Sequence, residues 1–360
     1  MFFGRRLEGE CHASDFGEMK YRPLGKTRLQ LSEISFGTGD NAGLMVKGSQ
    51  AEQRDAVARA LELGINYFDT SPDYGKGVAE TNLGRVLREL RADALVSTKV
   101  EIMPETIGDI EGAIARSLDA SLARLGRDFV DILMIHNPPR LARDLQAPYW
   151  TPLTPDDYLG PALRALERAR EAGKARHFGF ACEHAEPAAV YPLLESGHFV
   201  LINAWYNLVN PTAGIALPSG IALGPDYDDY GEIITRAAAC GVGAAAIRPL
   251  AGGALTEQVA HGGPTARHPL AGGMYTRAPD SFRPEADRGR AFGFLHRADR
   301  SLPQAAYAFA LMNPAVTTVV GGFSDLAQLE ELVRYADAAP LDDAELDRIR
   351  GVYARNFGLS

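Results

Sequence analysis

The sequence predicts an α/β chain closed into a (β/α)8 TIM barrel, with a small N-terminal hairpin ahead of it and long loops on one rim. Three observations carry this. Eight short apolar runs alternate with stretches of helical periodicity in one register. Titratable residues gather just after several of those runs, at the edge where parallel α/β sheets and barrels hold their sites. No Ser- or Pro-rich linker divides the 360 residues, a length such barrels reach as one domain.

Residues 1–18 carry charges and little periodicity, with no apolar stretch of secretory length, so they read as a loose extension and residues 19–360 as one domain. The hairpin is expected from Met19 to Thr27, turning at Gly25-Lys26. Ser32 to Gly37 is the first barrel strand. Ser49 and Glu52 form a capping box that opens a helix with Val57, Ala60 and Leu61 on one face, stopped by Gly64. Ile65 to Phe68 is the second strand; Asp69 stands at its carboxyl end, and Tyr74 lies on the loop beyond the Ser71-Pro72 turn. A helix from about Ala79 to Leu90 precedes the third strand, Ala94 to Thr98, which delivers Lys99.

Ile110, Ile114, Leu118 and Leu122 mark the next helix at i, i+4 spacing, stopped by Gly126. Phe129 to Ile135 reads as a continuous buried strand that delivers His136 before Asn137-Pro138-Pro139 breaks the chain. A long loop with Tyr149 and Trp150 leads to a helix ending near Gly173. The fifth strand runs through Phe178-Gly179-Phe180, a helix follows from about Pro187 to Leu194, and Phe199 to Ile202 is the sixth strand. Gly241 to Ile247 and Ala315 to Val320 complete the eight, with a Gly- and Pro-rich excursion from Ala251 to Asp287 between them.

A formal charge of -9 argues against nucleic acid or an anionic membrane surface as partner, since both need a basic face. The apolar runs are too short for a membrane-spanning helix. Cys11, Cys182 and Cys240 are too few and scattered for a disulfide framework, and no C-x-x-C points to zinc. A reducing, cytoplasmic setting and a small-molecule partner are expected, with no metal.

Asp69, Tyr74, Lys99 and His136 follow the second, third and fourth strands, so an acid, a phenol, an amine and an imidazole converge. Singly they read as a turn cap, loop packing, a surface lysine and a satisfied buried histidine. Together they suit proton delivery to a carbonyl oxygen. A free phenol has a pKa of about 10, and a neighbouring ammonium favours the phenolate and lowers that value. Lys99 is expected to do this, with Asp69 holding it charged and a neutral His136 donating to the carbonyl oxygen. None of these groups supplies a hydride, so a redox cofactor must.

From about Met19 to Ile349 the chain resembles the aldo-keto reductase superfamily. The family's tetrad matches Asp69, Tyr74, Lys99 and His136 within Phe-Asp-Thr-Ser-x-x-Tyr-Gly, Ser-Thr-Lys-Val and Leu-Met-Ile-His. The resemblance implies a barrel that binds NAD or NADP without a Rossmann fold and acts on a carbonyl or alcohol substrate. It also leaves an alternative, a cofactor-sensing regulatory subunit of the potassium-channel β-subunit kind. Substrate choice falls to the loops 40–48, 137–160 and 208–230.

The cofactor half matches less well. Gly179-Phe180-Ala181-Cys182 stands after strand five where relatives have Gly-x-Ser-Asn, so both carboxamide-holding side chains are missing. After strand six, Asn203 shortens the amide of the family's Gln-x-x-Tyr, while Tyr206 keeps its stacking ring. Arg248 opens a stretch with Leu250 that is similar to the family's loop over the pyrophosphate; alternatively it pairs with an acid on the rim. After strand eight, Gly322, Ser324 and Asp325 open a helix whose free amides suit a phosphate or ribose, and the match continues through Gln328 and Glu331. Many relatives place a base where Asp325 stands, to meet the 2'-phosphate of NADP. A carboxylate there leans toward NAD; it also fits a helix N-cap.

Overall fold

The computed structural model describes residues 18–147, 150–224, 227–262, 270 and 279–359. The expected extension therefore lies outside the described residues except for Glu18, as does Tyr149. Strands β1 (Tyr21–Pro23) and β2 (Gln30–Ser32) pair antiparallel as the hairpin. Its turn sits under the barrel: Lys26 N–H donates to Gly241 O, and Gly25 has a φ of +49° where a Cβ would lie 2.3 Å from that oxygen. Leu24 and Leu31 of the hairpin join Tyr67, Ile132, Met134, Leu201, Ala245 and Val320 in one apolar cluster, which closes the amino end of the barrel.

Strands β3 (Ile34–Gly37), β4 (Tyr67–Asp69), β5 (Leu95–Val100), β6 (Val130–Ile135), β7 (Ala175–Ala181), β8 (Leu201–Trp205), β9 (Gly243–Ile247) and β10 (Thr318–Gly322) follow one another around a closed barrel, with β10 returning to β3. Every pairing in it is parallel. Alternate residues share a face. Phe68, Val96, Leu133, Ile135, Phe178, Phe180 and Ile202 join the larger cluster with the surrounding helices, while Tyr67, Ile132, Met134 and Leu201 belong to the inner one.

That period of two positions the site. Asp69 lies two residues beyond Tyr67, Asn203 two beyond Leu201, and His136 two beyond Met134. Ser97 and Lys99 pair with Ile132 and Met134, so they share the inner register.

The helices Gln50–Glu62 and Ile110–Leu125 form as expected. The first opens on the Ser49/Glu52 capping box and the second ends at left-handed Gly126. The strands run further than the apolar runs alone indicate. Lys99 lies inside β5, Asn203 inside β8 and Gly322 at the end of β10, because the ladder continues through polar and glycine residues: Lys99 opposes Met134, Asn203 opposes Ala245 and Gly322 opposes Gly37. Within the loop 40–48, Leu44–Lys47 forms a helical turn. The helices Ile233–Ala239, Leu302–Met312 and Asp343–Ala354 have no counterpart in the sequence reading. The first two are rich in alanine and nearly apolar all round, so no amphipathic stripe marks them. Among the described residues no helix is long and apolar enough to cross a membrane.

Candidate active site

The tetrad meets at the carboxyl mouth of the barrel. Lys99 Nζ donates to Asp69 Oδ2 at 2.6 Å, to Thr70 O at 3.0 Å and to the Tyr74 hydroxyl at 3.1 Å. Asp69 and Lys99 are almost fully buried, so each charge depends on the other. The second oxygen of Asp69 accepts from Ser97 Oγ at 2.9 Å and from Asn203 Nδ2 at 3.4 Å. Asn203 belongs to β8, on the opposite side of the barrel from β4.

Two electrostatic expectations change. The Tyr74 phenol is pushed well above its ordinary value, first by burial and then by the negative charges of Asp69, Glu183, Asp73 and Asp40. The Lys99 ammonium is closest to Asp69 and does not reverse that shift. For His136 the surroundings favour the imidazolium over the neutral ring. Burial pulls its pKa down, but hydrogen bonding with Glu101 and Glu183 outweighs this and raises it to about 9. Its Nδ1–H faces Glu101 Oε1 at 2.6 Å, and Nε2 lies 3.7 Å from Glu183 Oε2.

Two tryptophans frame these acids. Trp150 packs on His136 with ring centroids 4.8 Å apart, and its Nε1–H donates to Glu101 at 3.2 Å. Trp205 Nε1–H donates to Glu183 Oε1 at 3.0 Å, while the Arg248 guanidinium lies 4.2 Å over its ring. Burial pushes the Glu183 carboxyl up, but His136, Trp205 and Lys99 outweigh it and hold it at about 2.

Glu101 and Glu183 are the members of this cluster that the sequence reading misses. The signal is present: Glu101 lies two residues beyond Lys99 and Glu183 two beyond Ala181, each one inward step past a strand end.

The positions assigned to the cofactor occupy β8, β9, β10 and the chain just beyond them, three neighbouring strands. Buried Asn203 Oδ1 has no hydrogen-bond partner among the described residues. It stands beside Asp69 at the carboxyl mouth of the barrel, where it fits the amide of a nicotinamide carboxamide. Cys182 is fully buried in the outer apolar layer, so Ala181-Cys182 brings no polar side chain to that point. Tyr206 falls out of the inward register and packs against Phe309 with centroids 5.6 Å apart, whereas Trp205 faces the acids of the mouth.

Arg248, at a φ of +54°, pairs with Glu285 at 2.5 Å, the rim pairing named above as its alternative. Leu250 O accepts from the N–H groups of Gly253 and Leu255, within a stretch where Ala251, Gly252 and Gly253 all have positive φ. Asp325 caps the helix Leu326–Val333 by accepting from Gln328 N–H at 2.9 Å. The Gln328 side chain returns to Ser324 N–H, and the Ser324 hydroxyl donates to Ala42 O. Gly322 is exposed at the end of β10, and Glu331 O accepts from Gln304.

The fold and site together define a (β/α)8 barrel with a cluster on its carboxyl rim able to exchange a proton with a bound oxygen. The chain belongs to the Aldo/keto reductase family, whose sequence model matches residues 33–354. It is 27% identical over 319 residues to L-galactose dehydrogenase of Arabidopsis thaliana, covering 88% of each chain. With L-glyceraldehyde 3-phosphate reductase of Escherichia coli K12 it shares 28% identity over 352 residues, 93% of this chain and 92% of that one. With a putative voltage-gated potassium channel subunit beta of Schizosaccharomyces pombe it shares 29% over 330 residues, 87% of each. An aldo-keto reductase from Bacillus halodurans, solved in its holo form, superposes with a TM-score of 0.65 at 24% identity over 93% of this chain and 96% of that one, a likeness of fold.

Proposed function

We propose that the protein is an NAD(P)-dependent oxidoreductase that moves a hydride between nicotinamide and the carbonyl or alcohol carbon of an aldehyde, ketone or sugar. The observation that carries this reading is the Lys99 ammonium between buried Asp69 and the Tyr74 hydroxyl. The cofactor supplies or accepts the hydride. Everything else is work for the chain. Tyr74, kept protonated by its raised pKa, gives its proton to the carbonyl oxygen in reduction and takes it back in oxidation. Lys99 stabilises the phenolate left behind, and Asp69 keeps the ammonium in place. His136 presents Nε2–H to the same oxygen as a charged donor.

Asn203 would accept from the carboxamide through its unpartnered Oδ1, and Tyr206 and Trp205 border its strand end. Arg248 and Leu250 would hold the pyrophosphate, and Gly322, Ser324, Asp325, Gln328 and Glu331 the adenosine ribose. The Asp325 carboxylate favours NAD over NADP. Relatives named for a sugar dehydrogenase and a triose phosphate reductase support a carbonyl or sugar substrate.

The relative named as a channel β-subunit supports a second reading, a cofactor-sensing regulatory subunit. The complete tetrad favours turnover. The test is Tyr74→Phe, which removes the proton and keeps the shape: turnover of a carbonyl panel should fall ~10²–10⁴-fold while cofactor affinity holds. A variant as fast as the parent sinks the role of Tyr74. A parent that binds cofactor but reduces or oxidises nothing in the panel favours the regulatory reading.

A further inference from the structure

Glu183 neither gives nor takes the proton in the path just described, although it adds to the charge around His136 and Tyr74, and its carboxylate stands at the mouth of that path. One oxygen is held by Trp205 Nε1–H, and the other lies 3.7 Å from His136 Nε2, the atom that meets a substrate oxygen. The side chain keeps 14% of its surface open, against 3% for His136. We infer that Glu183 is a specificity-determining residue, which accepts a hydrogen bond from a hydroxyl next to the reacting carbon and so selects uncharged hydroxy-carbonyls over phosphorylated or carboxylated ones.

The geometry supplies the reason. A group that reaches both Tyr74 and His136 Nε2 with its carbonyl oxygen brings its neighbouring carbon beside Glu183 Oε2. A hydroxyl there donates to a fixed anion; a methyl leaves that anion desolvated and unmatched. A phosphate or carboxylate meets like charge. Among the described residues, Lys99, His136 and Arg248 already face Asp69, Glu101 and Glu285, so these cations do not offset this. Asp40 and Asp73 add negative charge around the phenol. Like charges set together in a partly buried site are costly.

This inference rests on the oxidoreductase reading for the pose of the ligand, so its test reads binding apart from turnover. The chain has two tryptophans, and both touch the cluster, so ligand binding is followed by their fluorescence in the presence of oxidised cofactor. Propanal, glyceraldehyde and glyceraldehyde 3-phosphate are titrated into the parent, Glu183→Gln and Glu183→Asp. The parent should bind glyceraldehyde about tenfold or more tighter than either of the others, a factor corresponding to ~1.4 kcal/mol. Glu183→Gln, which keeps the contact with Trp205, should lose about tenfold of the discrimination against the phosphate. Glu183→Asp should retain that discrimination and weaken glyceraldehyde, and it serves if the glutamine variant fails to fold. A parent that binds the phosphate as tightly as glyceraldehyde, a ratio unmoved by Glu183→Gln, or a parent that binds none of the three overturns the inference. If the binding order holds but no alcohol or carbonyl of the series is turned over with either cofactor, the oxidoreductase reading falls and the assignment of Glu183 stands.

Discussion

Glu101 holds His136 by its Nδ1, with Oε1 2.6 Å away, so the ring keeps its proton well past neutrality and its pKa stands at about 9. The folded value lies above the free-histidine value of about 6.5. The contact therefore contributes its full stability below that value and loses it as pH climbs through about 9. Carbonyl reduction should follow the same limb, with kcat/KM falling as the imidazolium deprotonates. In Glu101→Gln the limb should move down toward the free value. A pH profile with the limb unmoved, checked by NMR titration of the ring, would show that Glu101 does not set the charge.

Lys99 and Asp69 make a buried pair at 2.6 Å, and removing one partner strands the other. Breaking such a pair typically costs ~3–5 kcal/mol. Lys99→Met should therefore unfold at lower denaturant as well as lose turnover. The double variant Asp69→Asn/Lys99→Met should regain much of the stability and none of the activity, since no ammonium then meets the phenol. Equal instability of the single and double variants, measured by urea unfolding, would locate the cost elsewhere.

Asp325 stands at the N-cap of the helix after β10. An NADP 2'-phosphate would arrive against it, and two unit charges ~4 Å apart at an effective dielectric near 20 interact by roughly 4 kcal/mol before solvent reduces it. A quarter of that still gives several-fold discrimination. The parent should prefer NAD(H) or use both cofactors, and Asp325→Arg should shift preference to NADP(H), less so at high salt. The variant also loses a helix cap, at a cost of about 1 kcal/mol. Titration of both cofactors decides: tighter NADP(H) binding by the parent, unaltered in Asp325→Arg, would mean that Arg248 or another group meets the phosphate.

The barrel was legible because the strands centre on short apolar runs and two of the early helices carry a start or stop residue, as Ser49 and Gly126 do. The tetrad was legible because its four residues sit in short motifs at strand ends. Charge states were not. Whether His136 is neutral depends on Glu101 and Glu183, which are distant in sequence from it and from each other and meet only when β5, β6 and β7 align. The same applies to Tyr74, whose phenol answers to burial and to four carboxylates before it answers to Lys99. Arg248 shows the limit in another way: its pairing with Glu285 crosses the excursion between β9 and β10, where no periodicity links the two.

The contact between Asn203 and Asp69 spans the full width of the barrel, from β8 to β4. The amide proposed to meet the cofactor and the ammonium that touches the phenol share one carboxylate as their neighbour, so β8 and β4 are braced by a single diagonal strut. Redesign on one side is then not local. Lengthening Asn203 to glutamine, to regain the usual amide reach, would press on the acid that holds Lys99. Under the proposed function, a change of nicotinamide grip on β8 would have to be matched by an adjustment of proton transfer on β4.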